Sequence, residues 1–183
     1  MFHTEIPTSK NRRIDMFTLN DLRNIDVGRD AIERIRRYCD GSDPETILFS
    51  IGDIAIIDLD DALWALRLVP QRNAILAVMP AMLRVAHKTN DTRIHSSVET
   101  ILAWLRGETA DLVEAECIAN FAADDAEENN FRETKLTAIA ASWLAVACMK
   151  TRRDAIYRAA HVLYDCDALH VSDLIVAFPP IMK

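Results

Sequence analysis

The sequence predicts an all-α protein, a compact multi-helix array or irregular bundle with an N-terminal arm, and three observations carry that prediction. Glycine and proline are scarce, four and six among 183 residues, which suits helices better than the turn-rich sandwiches and barrels. Half of the residues are hydrophobic, with alanine, leucine and isoleucine abundant. In segment after segment the apolar side chains recur at intervals of three and four, the period of one helix face. Charged residues make up 27% of the chain, and this mixture excludes disorder along its whole length. A chain of this size buries roughly two thirds of its unfolded surface without disulfides or metal. Residues 1–18 read as an arm or loosely packed leader, and residues 19–183 as a single helical domain.

The arm is polar, interrupted by Pro7, and carries the pair Arg12-Arg13. From Asn20 to about Tyr38, Leu22, Ile25, Ile32 and Ile35 predict a helix broken near Gly28, with Arg34, Arg36 and Arg37 on its polar side. Ser42-Asp43-Pro44-Glu45 has the form of a helix start, a capping side chain followed by proline in the first turn. The segment Ile47–Leu59 is apolar and partly β-branched, compatible with a short strand. A helix break at Ser50-Ile51-Gly52-Asp53 suits it better, with Asp53 capping the next helix. Asp58, Asp60 and Asp61 precede Leu63, Trp64, Leu66 and Leu68, and carboxylates at a helix start are electrostatically favourable. Pro70 opens a segment running to about Lys88, which Pro80 is expected to kink or divide because it lacks a donor for the helical ladder.

Asn90-Asp91-Thr92 marks a turn before a helix over residues 93–105, whose stripe is Ile94, Val98, Ile101, Leu102 and Leu105, flanked by Trp104. Gly107 stops it, and Thr109 is expected to cap its successor. That helix, about 110–128, is expected to turn Leu112, Val113, Cys117, Ile118 and Phe121 toward the core. Asn129-Asn130 ends it. Residues 131–149 resume the pattern with Leu136, Ile139, Ala140, Trp143, Leu144 and Ala147, and their many alanines permit close helix packing. Residues 152–164 carry Ile156, Ala160, Val162 and Leu163 on one side and Arg152, Arg153 and Arg158 on another. The apolar tail from Leu174 through Pro179-Pro180 to Met182 should cover its own domain or a neighbouring subunit. With the alanine-rich faces, it suits a homo-oligomer.

The charge is concentrated. Residues 106–130 hold eight acidic groups against the single Arg106, a local net of −7 that equals the net charge of the whole chain. Asp124, Asp125, Glu127 and Glu128 crowd the C-terminal end of their helix, where negative charge opposes the backbone dipole and like charges repel. A solvent-facing acidic end is the ordinary explanation for such an arrangement, and a docking surface for a basic partner is the sharper one. The expected contact residues for a basic protein partner are Asp111, Glu114, Asp124, Asp125, Glu127 and Glu128. Overall acidity disfavours nucleic acid, whose binders present a broad positive footprint. No apolar run approaches a membrane span, and the first residues lack the basic region and apolar core of a signal peptide, so a cytoplasmic location is expected. Cys39, Cys117, Cys148 and Cys166 are irregularly spaced and read as reduced thiols.

Catalytic chemistry has no recognisable pattern here. His161, Cys166 and His170, with Cys39 or Asp167 nearby in type, are donors that suit zinc, but their spacing is no compact four-ligand signature. His87 and His95 flank a turn without a paired nucleophile. Phosphate loops and dinucleotide fingerprints are absent from the sequence. No catalytic or metal-binding residue is assigned, and no cofactor is expected. Trp104, Trp143 and His161 mark where an aromatic ligand pocket would form, the feature of a helical small-ligand protein or enzyme.

The run Asp61-Ala62-Leu63-Trp64-Ala65-Leu66-Arg67, then Ala103-Trp104-Leu105-Arg106-Gly107-Glu108, then alanine-rich helices through Arg158-Ala159-Ala160-His161, resembles the immunity proteins of bacterial toxin systems, in their Imm-5-like helical group. The resemblance covers about residues 53–164. It implies a non-enzymatic protein that neutralises a co-expressed toxin by binding it. A phage or mobile-element inhibitor of a host defence complex would share the small, acidic, helical character, with a defence component as its partner.

Overall fold

The computed structural model describes residues 16–25, 27–39, 43, 45–149 and 153–181. Residues 1–15 of the expected arm, with Arg12-Arg13, lie outside the described residues, as do Ser42, Pro44, Arg152 and Met182. Ten α-helices lie among the described residues: α1 (Leu19–Arg23), α2 (Arg29–Tyr38), α3 (Ile51–Ile57), α4 (Leu59–Ala65), α5 (Gln71–Ala86), α6 (Thr92–Arg106), α7 (Leu112–Glu128), α8 (Arg132–Cys148), α9 (Arg153–Asp165) and α10 (Val171–Ala177). A 3-10 turn over Leu66–Leu68 joins α4 to the α5 segment. The fold is all-helical, as expected.

Short polar side chains set the helix starts. Thr18 and Asp21 form a reciprocal capping box at α1, and Ser50 and Asp53 form another at α3. Ser50 is therefore the cap, and Asp53 supplies the returning carboxylate. The helix expected from Ser42 onward does not form in the described part of that segment. Glu45 and Thr46 make a turn, and Phe49 then exchanges two 2.8 Å backbone hydrogen bonds with Phe17 in an isolated antiparallel bridge. Both phenylalanines are buried, so the end of the expected arm belongs to the folded body. Gly28 separates α1 from α2 as expected. Asp58 ends α3 in extended backbone and caps α4 by accepting from the Asp61 N–H.

Proline does not divide α5. The helix runs unbroken through Pro80, with Ile75, Val78, Met79 and Met82 buried on both sides of it. Gly107 closes α6 in the left-handed region, φ 83°, where a side chain is strained. Asp111, rather than Thr109, caps α7 by accepting from the Glu114 N–H at 2.9 Å. Asn130 makes the following turn at φ 57°.

The centre of the array is α8, which packs against α5, α6, α7 and α9. Its second half is buried on every side, from Ala140 through Cys148 apart from a half-buried Trp143. Ala115, Ala119, Ala122 and Ala126, spaced four, three and four, are the buried face of α7, which packs on α8 and α6, and α8 itself buries a run of alanines. Small side chains on both helices let the two backbones approach closely.

The apolar tail folds back onto its own domain. Phe178 is buried, α10 packs on α3 and α5, and the Ile181 N–H donates to both carboxylate oxygens of Asp53 at 3.1 Å. Asp53 is 1% exposed and also accepts from the Ser50 N–H and hydroxyl at 2.8 Å. Gly52 makes the approach of the tail possible, because a Cβ there would lie 2.0 Å from the Phe178 carbonyl oxygen.

Candidate functional site

An α-helix turns roughly 100° per residue, so the face it buries decides which residues it presents. Five apolar residues of α7 were expected in the core, and the alanine seam displaces most of them. Leu112 packs against the core and Ile118 is half-buried, but Cys117 is exposed and Val113 and Phe121 are each 63% exposed. The reason is steric. A close seam with α8 accepts methyl groups and rejects a phenyl ring, so the bulky stripe of equal period faces the other way.

The same rotation sorts the acidic residues. Val113, Glu114, Cys117, Phe121, Asp124 and Glu128 fall in one sector of roughly 100° opposite the alanine seam. Among the described residues, no cation lies within ion-pairing distance of Glu114, Asp124 or Glu128. The other expected contact residues are engaged on the flanks. Asp125 pairs with Arg93 of α6, and Glu127 pairs with Lys135 of α8 at 2.6 Å. Asp111 is used as the α7 cap. Arg93 also binds Asp91 at 2.7 Å, and its two carboxylate partners hold the guanidinium above its ordinary value. Of six expected contacts, three remain unpaired toward solvent among the described residues, and they surround an apolar stripe absent from the expected contact surface. That stripe was legible in principle: alanines at 115, 119, 122 and 126 outline a second face with helical period.

The basic side of α2 is taken up internally. Arg34 donates three hydrogen bonds of 2.7–3.0 Å to Asp61, and Arg36 binds Glu45 at 2.8 Å. Arg37 lies 3.9 Å from Glu33. Arg23 and Arg36 together pull the Glu45 carboxyl down to about 2. Burial pushes the Asp61 carboxyl up, against the opposing pull of Arg34.

Two of the three expected pocket residues come together. Trp143 and His161 line one groove between α4, α8 and α9, with Trp64, Tyr157 and Arg158, while Trp104 on α6 does not line it. Tyr157 meets the Trp64 ring edge-on at 4.6 Å and the His161 ring at 5.6 Å. His161 lies 3.3 Å from Asp165 and 3.5 Å from Asp60. The donors considered for zinc do not gather: His161 sits at this groove, Cys166 lines a different hollow, and His170 caps α10. Among the described residues, no three His, Cys, Asp or Glu side chains are grouped to hold a metal ion. The His95 ring nitrogen Nε2 meets the carbonyls of Ala86 and Thr89 at 2.9 and 3.0 Å, at the end of α5. No helix among the described residues is long and apolar enough to cross a membrane.

Comparison with protein-family models, with curated proteins and with solved structures finds no match in any of the three.

Proposed function

We propose that this is a cytoplasmic, non-enzymatic binding protein that docks a basic protein through the outer face of α7 and neutralises it, as a toxin immunity protein does. One observation carries the reading: Val113, Cys117 and Phe121 stand exposed on the same sector as three carboxylates that lack a cation partner among the described residues. A large aromatic side chain held in water, away from an adjacent core, is the form of an interface anchor. Surrounding carboxylates favour a basic partner over a second copy, because matching faces would oppose like charge. A basic partner satisfies both features. Complementary charge speeds encounter and sets orientation, while burial of Phe121 and Val113 slows release.

The supporting experiment is tagged capture from the native host, in three forms: wild type, Phe121→Ser, and Glu114→Lys with Asp124→Lys and Glu128→Lys. The expected result is one basic protein recovered near one-to-one by wild type, reduced by raised salt, and lost from both variants. Equal recovery of that protein by wild type and both variants would remove α7 from the interface and the reading with it.

A further inference from the structure

The aromatic groove carries a separate inference, independent of the α7 face. Two adjoining hollows, of about 870 and 740 Å³, share Arg67, Trp143, Asp154 and Arg158 in their walls. Each is of the size that takes a small molecule. Their polar groups are unequally engaged. Arg67 stacks on Trp64 at 4.7 Å, pairs with Asp154 at 2.9 Å and donates to the Ile25 carbonyl. Arg158 stacks over Trp143 at 4.9 Å, and among the described residues its guanidinium has neither a carboxylate partner nor a hydrogen bond. Stacking occupies one face of a guanidinium and leaves its N–H edge free, the edge that takes a carboxylate or phosphate in two parallel hydrogen bonds. Beside it stands the Tyr157 ring, fixed edge-on against Trp64, whose own N–H is committed to the Ile25 carbonyl at 2.9 Å.

We propose that this groove binds a small aromatic anion. Its flat ring lies against Tyr157, beside the Arg158–Trp143 stack, and its carboxylate or phosphate takes the free edge of Arg158. The pairing of Arg67 with Asp154 shows the same chemistry already satisfied in the same groove, with the chain's own carboxylate as the anion. An aromatic carboxylate and a nucleoside monophosphate share the required ring and charge. A neutral ring or a bare anion has only half of them.

Equilibrium dialysis of the full chain distinguishes these cases with four probes: indole-3-carboxylate, adenosine monophosphate, adenosine, and inorganic phosphate. Saturable binding of either aromatic anion, at least about tenfold tighter than both adenosine and phosphate, is expected. Which of the two binds names the source. Arg158→Gln is exposed and should weaken that binding about tenfold or more, Trp143→Phe should weaken it too, and Trp104→Phe should leave it unchanged. Circular dichroism of each variant confirms that the fold is retained. Absence of saturation by both aromatic anions up to about 5 mM would overturn the proposal. So would binding that Arg158→Gln and Trp143→Phe leave untouched, or phosphate binding as tightly as the ringed anions.

Discussion

Replacing Gly52 with alanine tests how the C-terminal tail is held, and the structure predicts the opposite sign from helix propensity. Alanine in place of glycine favours a helix by up to about 1 kcal/mol. Here the added methyl carbon would lie 2.0 Å from the Phe178 carbonyl oxygen and 3.2 Å from both the Phe178 carbonyl carbon and the Pro180 Cδ. An ordinary contact needs a little over 3 Å, so the tail must retreat by roughly 1 Å. The retreat loosens buried Phe178 and the Ile181 N–H bonds to Asp53, a buried carboxylate that depends on its donors. Overpacking costs about 1–3 kcal/mol and a lost donor to a buried acceptor about 1–3 more. After the propensity gain, a net loss of about 1–5 kcal/mol remains, which lowers the melting temperature by roughly 2–20 °C for a chain of this length. Thermal melts followed by circular dichroism read this directly. Gly28→Ser is the control, because nothing lies within 4 Å of a Cβ there and serine is a good cap; it should gain a few tenths of a kcal/mol. If Gly52→Ala melts at or above wild type, the tail does not bear on α3 and the close packing is refuted.

The structure predicts three further outcomes. Ala119→Leu should destabilise by about 1–3 kcal/mol by forcing the α7–α8 seam apart, whereas Phe121→Ser should change stability by less than about 0.5 kcal/mol; urea midpoints ranked the other way would put Phe121 in the core. Glu45 is held at about 2 by Arg23 and Arg36, below its ordinary 4.5, so its stabilisation is complete above 4.5 and is lost as pH falls toward 2. The difference in urea midpoint between wild type and Glu45→Gln should shrink through that window, and a constant difference would refute the pairing. Cys117 is exposed, while Cys39 and Cys148 are buried and burial pushes the Cys148 thiol up to about 12. A thiol reagent should therefore modify Cys117 first and reach Cys39 and Cys148 only on unfolding, and Cys117→Ser should abolish the fast phase.

The fold class was legible because periodicity and punctuation agreed along most of the chain. Gly28, Gly107 and Asn129-Asn130 separate helices where the sequence places the breaks, and the α6 stripe from Ile94 to Leu105 is buried as its spacing indicates. Two other features were ambiguous for physical reasons. Ser42-Asp43-Pro44 and Ser50-x-x-Asp53 both have the form of a cap, and the sequence does not show that Phe49, between them, pairs with the distant Phe17. In α7 two stripes share one period, and hydrophobicity favours the wrong one. Only the packing of α7 on α8 and α6, which buries the alanine stripe, decides that Phe121 faces out. Ion pairs such as Arg93 with Asp125 join separate helices, so the sequence shows the acidic cluster without showing which members are spent. The aromatic groove needed Trp64 and Trp143 brought together, 79 positions apart, and Trp104 left out.

The most direct test of the α7 interface is the kinetics of binding to the captured partner at low and moderate salt. Wild type, Phe121→Ser and the Glu114, Asp124 and Glu128 charge-reversal variant are compared on one surface. Phe121→Ser should weaken affinity by at least about 2 kcal/mol, roughly thirtyfold, through faster release and with an unchanged salt dependence. Charge reversal should instead slow association and flatten or invert its salt dependence. Rates within twofold of wild type for both variants would contradict a partner seated on the outer face of α7.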